Sequence, residues 1–231
     1  MTDQALRLTD QVRREVEQAD RETFGQLTPD ELLTTTRAVR RRLDLIRPVP
    51  RRLVEECIRI AQQAPCGSGR NVLHWIVVTD PTTRAQLGRI YRDAFTEQRA
   101  PSTGSGVERL PSGLRRSMAS ADHLADHLGE VPVLVLACVA VAEPLPAGNQ
   151  AGLWGSVLPA VWSYQLAARS RGLGTVWTTA HLRREAEVAR LLGIPPGVHQ
   201  AALVPTAWHR GHGFRPADRP PLADVLHDGH W

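Results

Sequence analysis

Four arginines within six residues, Arg37, Arg40, Arg41 and Arg42, are the densest cationic cluster in the N-terminal third of the chain. The planar fork of arginine grips phosphate or carboxylate through paired N–H donors. In an extended segment Arg37 and Arg41 point to one face and Arg40 and Arg42 to the other. A second feature is the stretch APCGSGRN from Ala64 to Asn71. Its glycines lie between a helical pattern and a strand pattern, the reverse of a dinucleotide fingerprint, in which glycines lead from a strand into a helix. The glycines allow close approach to a flat ligand, whose edge Ser68, Arg70 and Asn71 can hydrogen-bond. Cys66 has no base beside it in sequence to make it a nucleophile.

Other constellations are weaker. His123 and His127 are four apart, a metal-ligand spacing, but the glutamate of HExxH is missing, and the His209 and His212 pair sits in a loop pattern. No metal is expected. Six tryptophans are scattered rather than interleaved with a basic stripe, so no nucleic-acid partner is expected. All 28 basic residues are arginine, which excludes Schiff-base lysines and the Walker lysine. The three cysteines, Cys57, Cys66 and Cys138, form neither a disulfide framework nor a zinc knuckle and read as reduced thiols. No apolar run of membrane-spanning length and no signal peptide is present, so the expected location is the cytoplasm, without a membrane partner.

The 231 residues suit one domain, residues 28–231, preceded by a helical arm, residues 1–27, whose charged pattern runs from Leu6 to about Phe24. Thr28, Pro29, Asp30 and Glu31 carry a helix-start signature, with the helix ending near Thr36. The arginine segment is expected to be extended until Pro50 opens a helix with Leu53, Cys57, Ile60, Ala61 and Ala64 on one face. A short strand follows at HWIVVTD, and Asp80 and Pro81 begin another helix. Residues Thr96 to Gly113 have the composition of a lid loop. Further expectations are a helix from Leu114 to Leu128, a buried strand from Val131 to Val141, a Pro/Gly loop to Gly155 and a helix from Val157 to Arg171. A short strand in RGLGTVWTT, a helix in LRREAEVARLLGI, a last strand in HQAALVPTAW and a Pro/Arg-rich tail complete the pattern. Helices on a four- or five-stranded sheet give an α+β fold.

Several segments together resemble the nitroreductase family of FMN-dependent oxidoreductases. They are TTRAVRRRL, APCGSGRNVLHWIVVTDP, HLGEVPVLVLA, SVLPAVWSYQLAARSRGLGTVWTT, LLGIPPGVHQAALVPTAW and FRPADRPPLADVLH, in order across about 200 residues from Leu33. The resemblance implies an α/β/α sandwich around a mixed, mainly antiparallel sheet. It also implies an intertwined homodimer with one FMN in each interfacial cleft and a C-terminal tail, residues 211–231, wrapping the partner.

By the same resemblance Arg37, Val39 and Arg41 stand at the phosphate motif, with Val39 where the family has serine and Arg40 as compensation. Arg219 stands at the late basic pair, with Ala217 in place of its mate and Arg215 as substitute. Pro65, Cys66, Gly67, Ser68, Gly69 and Asn71 line the pyrimidine edge of the flavin, with Gly69 and Asn71 where longer amides are usual. Thr178 and Thr179 approach N5, Pro159 lies beside the ring, and His127 is near the flavin or ribityl chain. The implied activity is ping-pong hydride transfer from NADH or NADPH to a nitroaromatic, quinone or similar conjugated acceptor, with flavin N5 rather than a side chain carrying the chemistry. The departures at Val39, Gly69 and Ala217 motivate one alternative, a flavin-sequestering protein with little turnover; a further variant within the enzyme class is a flavin-dependent dehydrogenase or desaturase of a biosynthetic intermediate.

Overall fold

The structure, a computed structural model, describes residues 27–67, 72–99, 111–141, 144–145, 147–211 and 213–231. The N-terminal arm and the flavin-loop residues Ser68, Gly69 and Asn71 lie outside the described residues, as does most of the expected lid.

Helix α1 (Pro29–Thr35) opens as its sequence requires. The Glu31 N–H donates to Thr28 Oγ1 at 3.2 Å and the Thr28 N–H donates to Glu31 Oε2 at 2.8 Å, so both orphan donors are satisfied. Helix α2 (Arg51–Ala61) buries Val54, Cys57 and Ala61. This face is turned from the expected one: Ile60 is 43% exposed, and Val54 takes the core position. Burial pushes the Cys57 thiol up to about 12, as it does that of Cys138, so both are packing residues rather than nucleophiles.

Strand β1 (Leu73–Val78) leads into helix α3 (Pro81–Arg99), which runs through Thr96 where a loop was expected. Its last turn is tied down by an Arg99–Asp122 ion pair of 3.0 Å to helix α4 (Ser112–His127), an anchor that local composition does not reveal. The connection therefore spans only residues 100–111. A 3-10 turn at Leu128–Glu130 precedes strand β2 (Val133–Ala140). Then come the short helix α5 (Ala151–Gly155), helix α6 (Leu158–Arg169) and strand β3 (Leu173–Thr175). A 3-10 turn at Ala180–Arg184 continues into helix α7 (Glu185–Leu192), and strand β4 (Val198–Trp208) ends the core.

The four strands lie in the order β1-β2-β4-β3, with every ladder antiparallel. The parallel element of the expected mixed sheet is a single bridge, Ala38 to Thr175. The central strands β2 and β4 are buried on both faces, as unbroken apolar runs demand. On one face Val135, Ala137, Ala202 and Val204 meet α2 and α6 through Val54, Cys57, Val161 and Tyr164. On the other, Leu134, Leu136 and Leu203 meet Leu87 and Tyr91 of α3, Leu124 of α4 and Val188 of α7. The result is the expected α/β/α sandwich.

His181, in the turn before α7, is fully buried, with neither ring nitrogen bonded by the described residues. Burial lowers its pKa from 6.5 to about 4, so the folded protein holds it neutral. The unfolded chain takes up a proton there that the folded chain refuses. Stability is therefore full above pH 6.5 and falls as the pH drops toward 4, by about 3 kcal/mol over that window. Urea midpoints between pH 7.5 and pH 5 should show this slope, and His181→Leu should flatten it; a slope unchanged in that variant assigns the effect to another group.

Candidate functional site

Residues 37–43 do not form the alternating extended segment expected. Ala38 bridges Thr175 of β3, Leu43 bridges His209, and a turn closed by the Leu43 N–H on Arg40 O, 3.1 Å, lies between. The turn breaks the two-face alternation. Val39 is 4% exposed and donates its N–H to Thr175 O at 2.8 Å. Its side chain is core rather than ligand surface. A Cβ on Gly174 would lie 2.9 Å from Val39 Cγ1, so this close approach needs glycine.

The arginines fan out from this turn. Arg37 folds back on the end of α1, donating to Thr36 O and Thr34 O at 2.8 Å each. Arg40 and Arg41, rather than Arg37 and Arg41, converge on α4, donating to Ser120 Oγ at 3.4 Å and Ala119 O at 3.2 Å. Burial lowers the pKa of Arg40, partly offset by the nearby Tyr91 hydroxyl, and that hydroxyl shares a 2.7 Å hydrogen bond with Thr178 Oγ1. Arg42 turns the other way. Its Nε donates to Arg210 O at 2.7 Å, and its guanidinium carbon lies 4.6 Å from the centroid of the Phe214 ring. Arg169, at the end of α6 and only 8% exposed, lies 4.6 Å from the same centroid. Burial and the charge of Arg42 both lower the Arg169 pKa.

Ion pairs among the described residues engage Arg51, Arg52, Arg92, Arg99, Arg171, Arg184 and Arg210. None of them reaches Arg37, Arg40, Arg41, Arg42 or Arg169. Arg42 Nη2 and Arg169 Nε are buried with no hydrogen-bond partner among the described residues. Desolvated guanidinium donors without a carboxylate are costly unless an anion completes them. Arg215 and Arg219 follow on the exposed C-terminal stretch beside Phe214. Sequence reasoning missed Arg169, Phe214, Tyr91 and Ser120, because each meets the arginine turn only through the tertiary fold.

The expected flavin loop lies elsewhere. Pro65, Cys66 and Gly67 are exposed, and the Gly67 N–H donates to Ser156 Oγ at 2.9 Å, which docks the loop between α5 and α6. This loop precedes β1, an edge strand whose Leu73 pairs with Val139 near the Val198 end of β4. The arginine turn flanks β3, the opposite edge, which pairs with the Trp208 end of β4. At about 3.3 Å per residue and about 4.8 Å per strand spacing, these corners are separated by roughly 20–30 Å along the strands and 14 Å across the sheet. One chain therefore does not bring the two motifs together.

Pro159 stands in the first turn of α6 and is partly buried. Thr178 exchanges backbone hydrogen bonds with Leu203 and turns its hydroxyl to Tyr91, whereas Thr179 faces a cavity at the edge of β4. His127 and His123 stack with centroids 4.2 Å apart, and His127 Nδ1 donates to His123 O at 2.8 Å. Burial, with His127 and Arg41 nearby, lowers the His123 pKa. The described residues contain no group of three or more His, Cys, Asp or Glu that could hold a metal, and no helix long and apolar enough to cross a membrane.

The nitroreductase family model matches residues 33–208. No curated protein matches the sequence. Among solved structures, a nitroreductase-like family protein from Bacillus cereus is 16% identical, covering 88% of this chain and 97% of that one with a TM-score of 0.63. An iodotyrosine deiodinase bound to FMN and 3-iodo-L-tyrosine is 20% identical, with coverages of 87% and 97% and a TM-score of 0.62. A BluB-like flavoprotein from Clostridium difficile 630 is 16% identical, with coverages of 87% and 99% and a TM-score of 0.65. At these identities the structural likeness carries the fold, while the sequence match spans most of the chain. The protein belongs to the nitroreductase family.

Proposed function

We propose that the protein is an FMN-dependent oxidoreductase that takes hydride from NADH or NADPH and reduces a nitroaromatic, quinone or similar conjugated acceptor. The observation that carries this reading is a set of arginines, Arg37, Arg40, Arg41, Arg42 and Arg169, that no carboxylate pairs among the described residues, with buried donors on Arg42 and Arg169 that lack partners there. Its chemistry fits the phosphate of a flavin mononucleotide. When bound, FMN supplies the two-electron step at N5. This chain's part is to hold the phosphate with Arg42 and Arg169 on the Phe214 side of the turn, with Arg215 and Arg219 following Phe214, while Arg37, Arg40 and Arg41 add positive charge from the other side. Residues 65–71 hydrogen-bond the polar edge of the ring, Thr179 lies near N5, and Pro159 forms a wall.

The separation of the two motifs supports a homodimer. Arginines of one subunit and the 65–71 loop of its partner make one cleft, and the symmetry of the pair makes the second. Large apolar side chains left exposed on the α2 and α6 layer, Ile60 and Trp162, suit the subunit contact. Leu222, Val225, Leu226 and Trp231 in the tail are also exposed and suit a wrap around the partner.

The test is the absorbance spectrum of the purified protein followed by anaerobic titration with NADH and NADPH. A flavin spectrum bleached by either supports the proposal. Bound flavin reduced by neither favours sequestration, and turnover with O₂ but without NAD(P)H favours a dehydrogenase. Removal of residues 211–231 should lower the dimer mass seen by light scattering and the flavin content together; a flavin-replete monomer would overturn the composite cleft.

A further inference from the structure

The C-terminal stretch begins pinned to the arginine turn. The Arg210 N–H donates to Arg42 O at 2.7 Å, Arg42 Nε donates back to Arg210 O at 2.7 Å, and the Arg210 guanidinium pairs with Asp44 Oδ1 at 3.2 Å. Gly211 and Gly213 then take φ values of +78° and +68°, which residues with a side chain rarely adopt. A Cβ on Gly211 would also stand 3.4 Å from Arg42 Nη2. Through these two left-handed positions the chain brings Phe214 back to Arg42.

The Phe214 ring meets three side chains. The guanidinium carbons of Arg42 and Arg169 each lie 4.6 Å from its centroid, inside the reach of about 6 Å over which a ring face attracts a cation. The His209 ring lies 5.2 Å away and is itself fixed, its Nδ1 donating to Gly172 O at 2.9 Å. Two arginines that share one ring repel each other, and no carboxylate among the described residues holds them together. The aromatic quadrupole does so instead. Unlike a carboxylate, the ring neither cancels the two charges nor takes up their in-plane N–H groups, and Arg42 Nη2 and Arg169 Nε are left without partners among the described residues.

We propose that Phe214 is a positioning residue of the anion site: its ring gathers Arg42 and Arg169 in place of a carboxylate and leaves their charge and donors for the phosphate. That the anion is the phosphate of FMN rests on the oxidoreductase reading above.

The test is fluorescence titration of the apoprotein with FMN, for wild type, Phe214→Leu, Phe214→Tyr and a protein carrying pentafluorophenylalanine at position 214, which keeps the ring shape and reverses its quadrupole. Phe214→Leu and the fluorinated protein should bind FMN about 5- to 30-fold more weakly. That is the range given by two cation–π contacts of about 0.5–1 kcal/mol each, at about 1.4 kcal/mol per factor of ten, when gathering the arginines must come out of the binding itself. Phe214→Tyr should stay within about twofold of wild type. With Arg42 and Arg169 both replaced by methionine, Phe214→Leu should have no further effect on affinity.

Unchanged affinity in Phe214→Leu and the fluorinated protein would overturn the assignment. Tighter binding by either would overturn it too, since the ring would then be a lid over the donors. A loss in Phe214→Leu that the fluorinated protein does not share would mean that the ring only packs, with the same result. If the arginine double variant binds FMN as wild type does, the flavin reading of this edge fails on its own account. The apoprotein melting temperature then decides on Phe214: a fall in the fluorinated protein upholds the ring as the group that gathers the arginines, and no fall overturns it.

Discussion

Replacing Arg42 and Arg169 together by methionine should lower FMN affinity by about 10²- to 10⁴-fold without destabilising the apoprotein. A hydrogen bond to a charged group contributes about 1.5–3 kcal/mol, so two such contacts amount to about 3–6 kcal/mol, at about 1.4 kcal/mol per factor of ten. The apoprotein behaves oppositely. Both guanidinium carbons lie 4.6 Å from one ring centroid, no carboxylate pairs with either among the described residues, and each carries a buried unpartnered nitrogen. Methionine keeps much of the aliphatic volume; what is lost is cation–π attraction of about 0.5–1 kcal/mol per arginine and the Arg42 Nε–Arg210 O hydrogen bond, and the relief of like charges and of their desolvation cost offsets that loss. The melting temperature without flavin should therefore change little while flavin fluorescence titrations show the loss of affinity. A structural role for the arginines would lower both. Unchanged affinity in a dimer of normal mass would instead place the phosphate on the α4 side of the turn, at Arg40 and Arg41.

The difference between those two sides of the turn was hidden from the sequence for a definite reason. Features settled within a few residues were legible: the Thr28–Glu31 capping box, the helix start at Pro81 and the buried runs of β2 and β4. The arginine segment is governed by remote partners. Two bridges, to Thr175 and His209, force a turn that places Val39 in the core and sends Arg40 and Arg42 to different helices. Neither Phe214 nor Arg169 carries a local sign that it meets Arg42, since one follows the last strand and the other ends a helix. Helix α3 likewise outran its composition because Arg99 finds Asp122 on α4. Which side chains of the arginine segment face outward depends on that turn, which no local pattern announces.

Gly88→Ala should destabilise the protein by about 2–3 kcal/mol, against the local rule that alanine improves a helix by about 1 kcal/mol over glycine. Gly88 lies inside α3, where nothing in its neighbours marks it as required. A Cβ there would stand 2.7 Å from Gly129 N and 2.8 Å from Gly129 Cα, and these are backbone atoms that no rotamer change can move aside. The opposing segment is also clamped. Arg84 Nη1 donates to Val131 O at 2.6 Å and to Gly129 O at 3.4 Å, while Leu128 is fully buried under the sheet. Relief would require α3 to move from the 3-10 turn, opening the core around Leu87 and Tyr91. For a chain of this size the melting temperature should fall by roughly 4–12 °C. Gly129→Ala should cost less, because its Cβ would meet Ala85 Cα at 3.1 Å and Arg84 O at 3.2 Å. A Gly88→Ala protein as stable as wild type would mean that the two segments separate easily. The same motion would carry α4, and with it Ser120 and Ala119, away from Arg40 and Arg41. A variant that folds with weakened flavin binding would thus tie this helix crossing to the arginine edge.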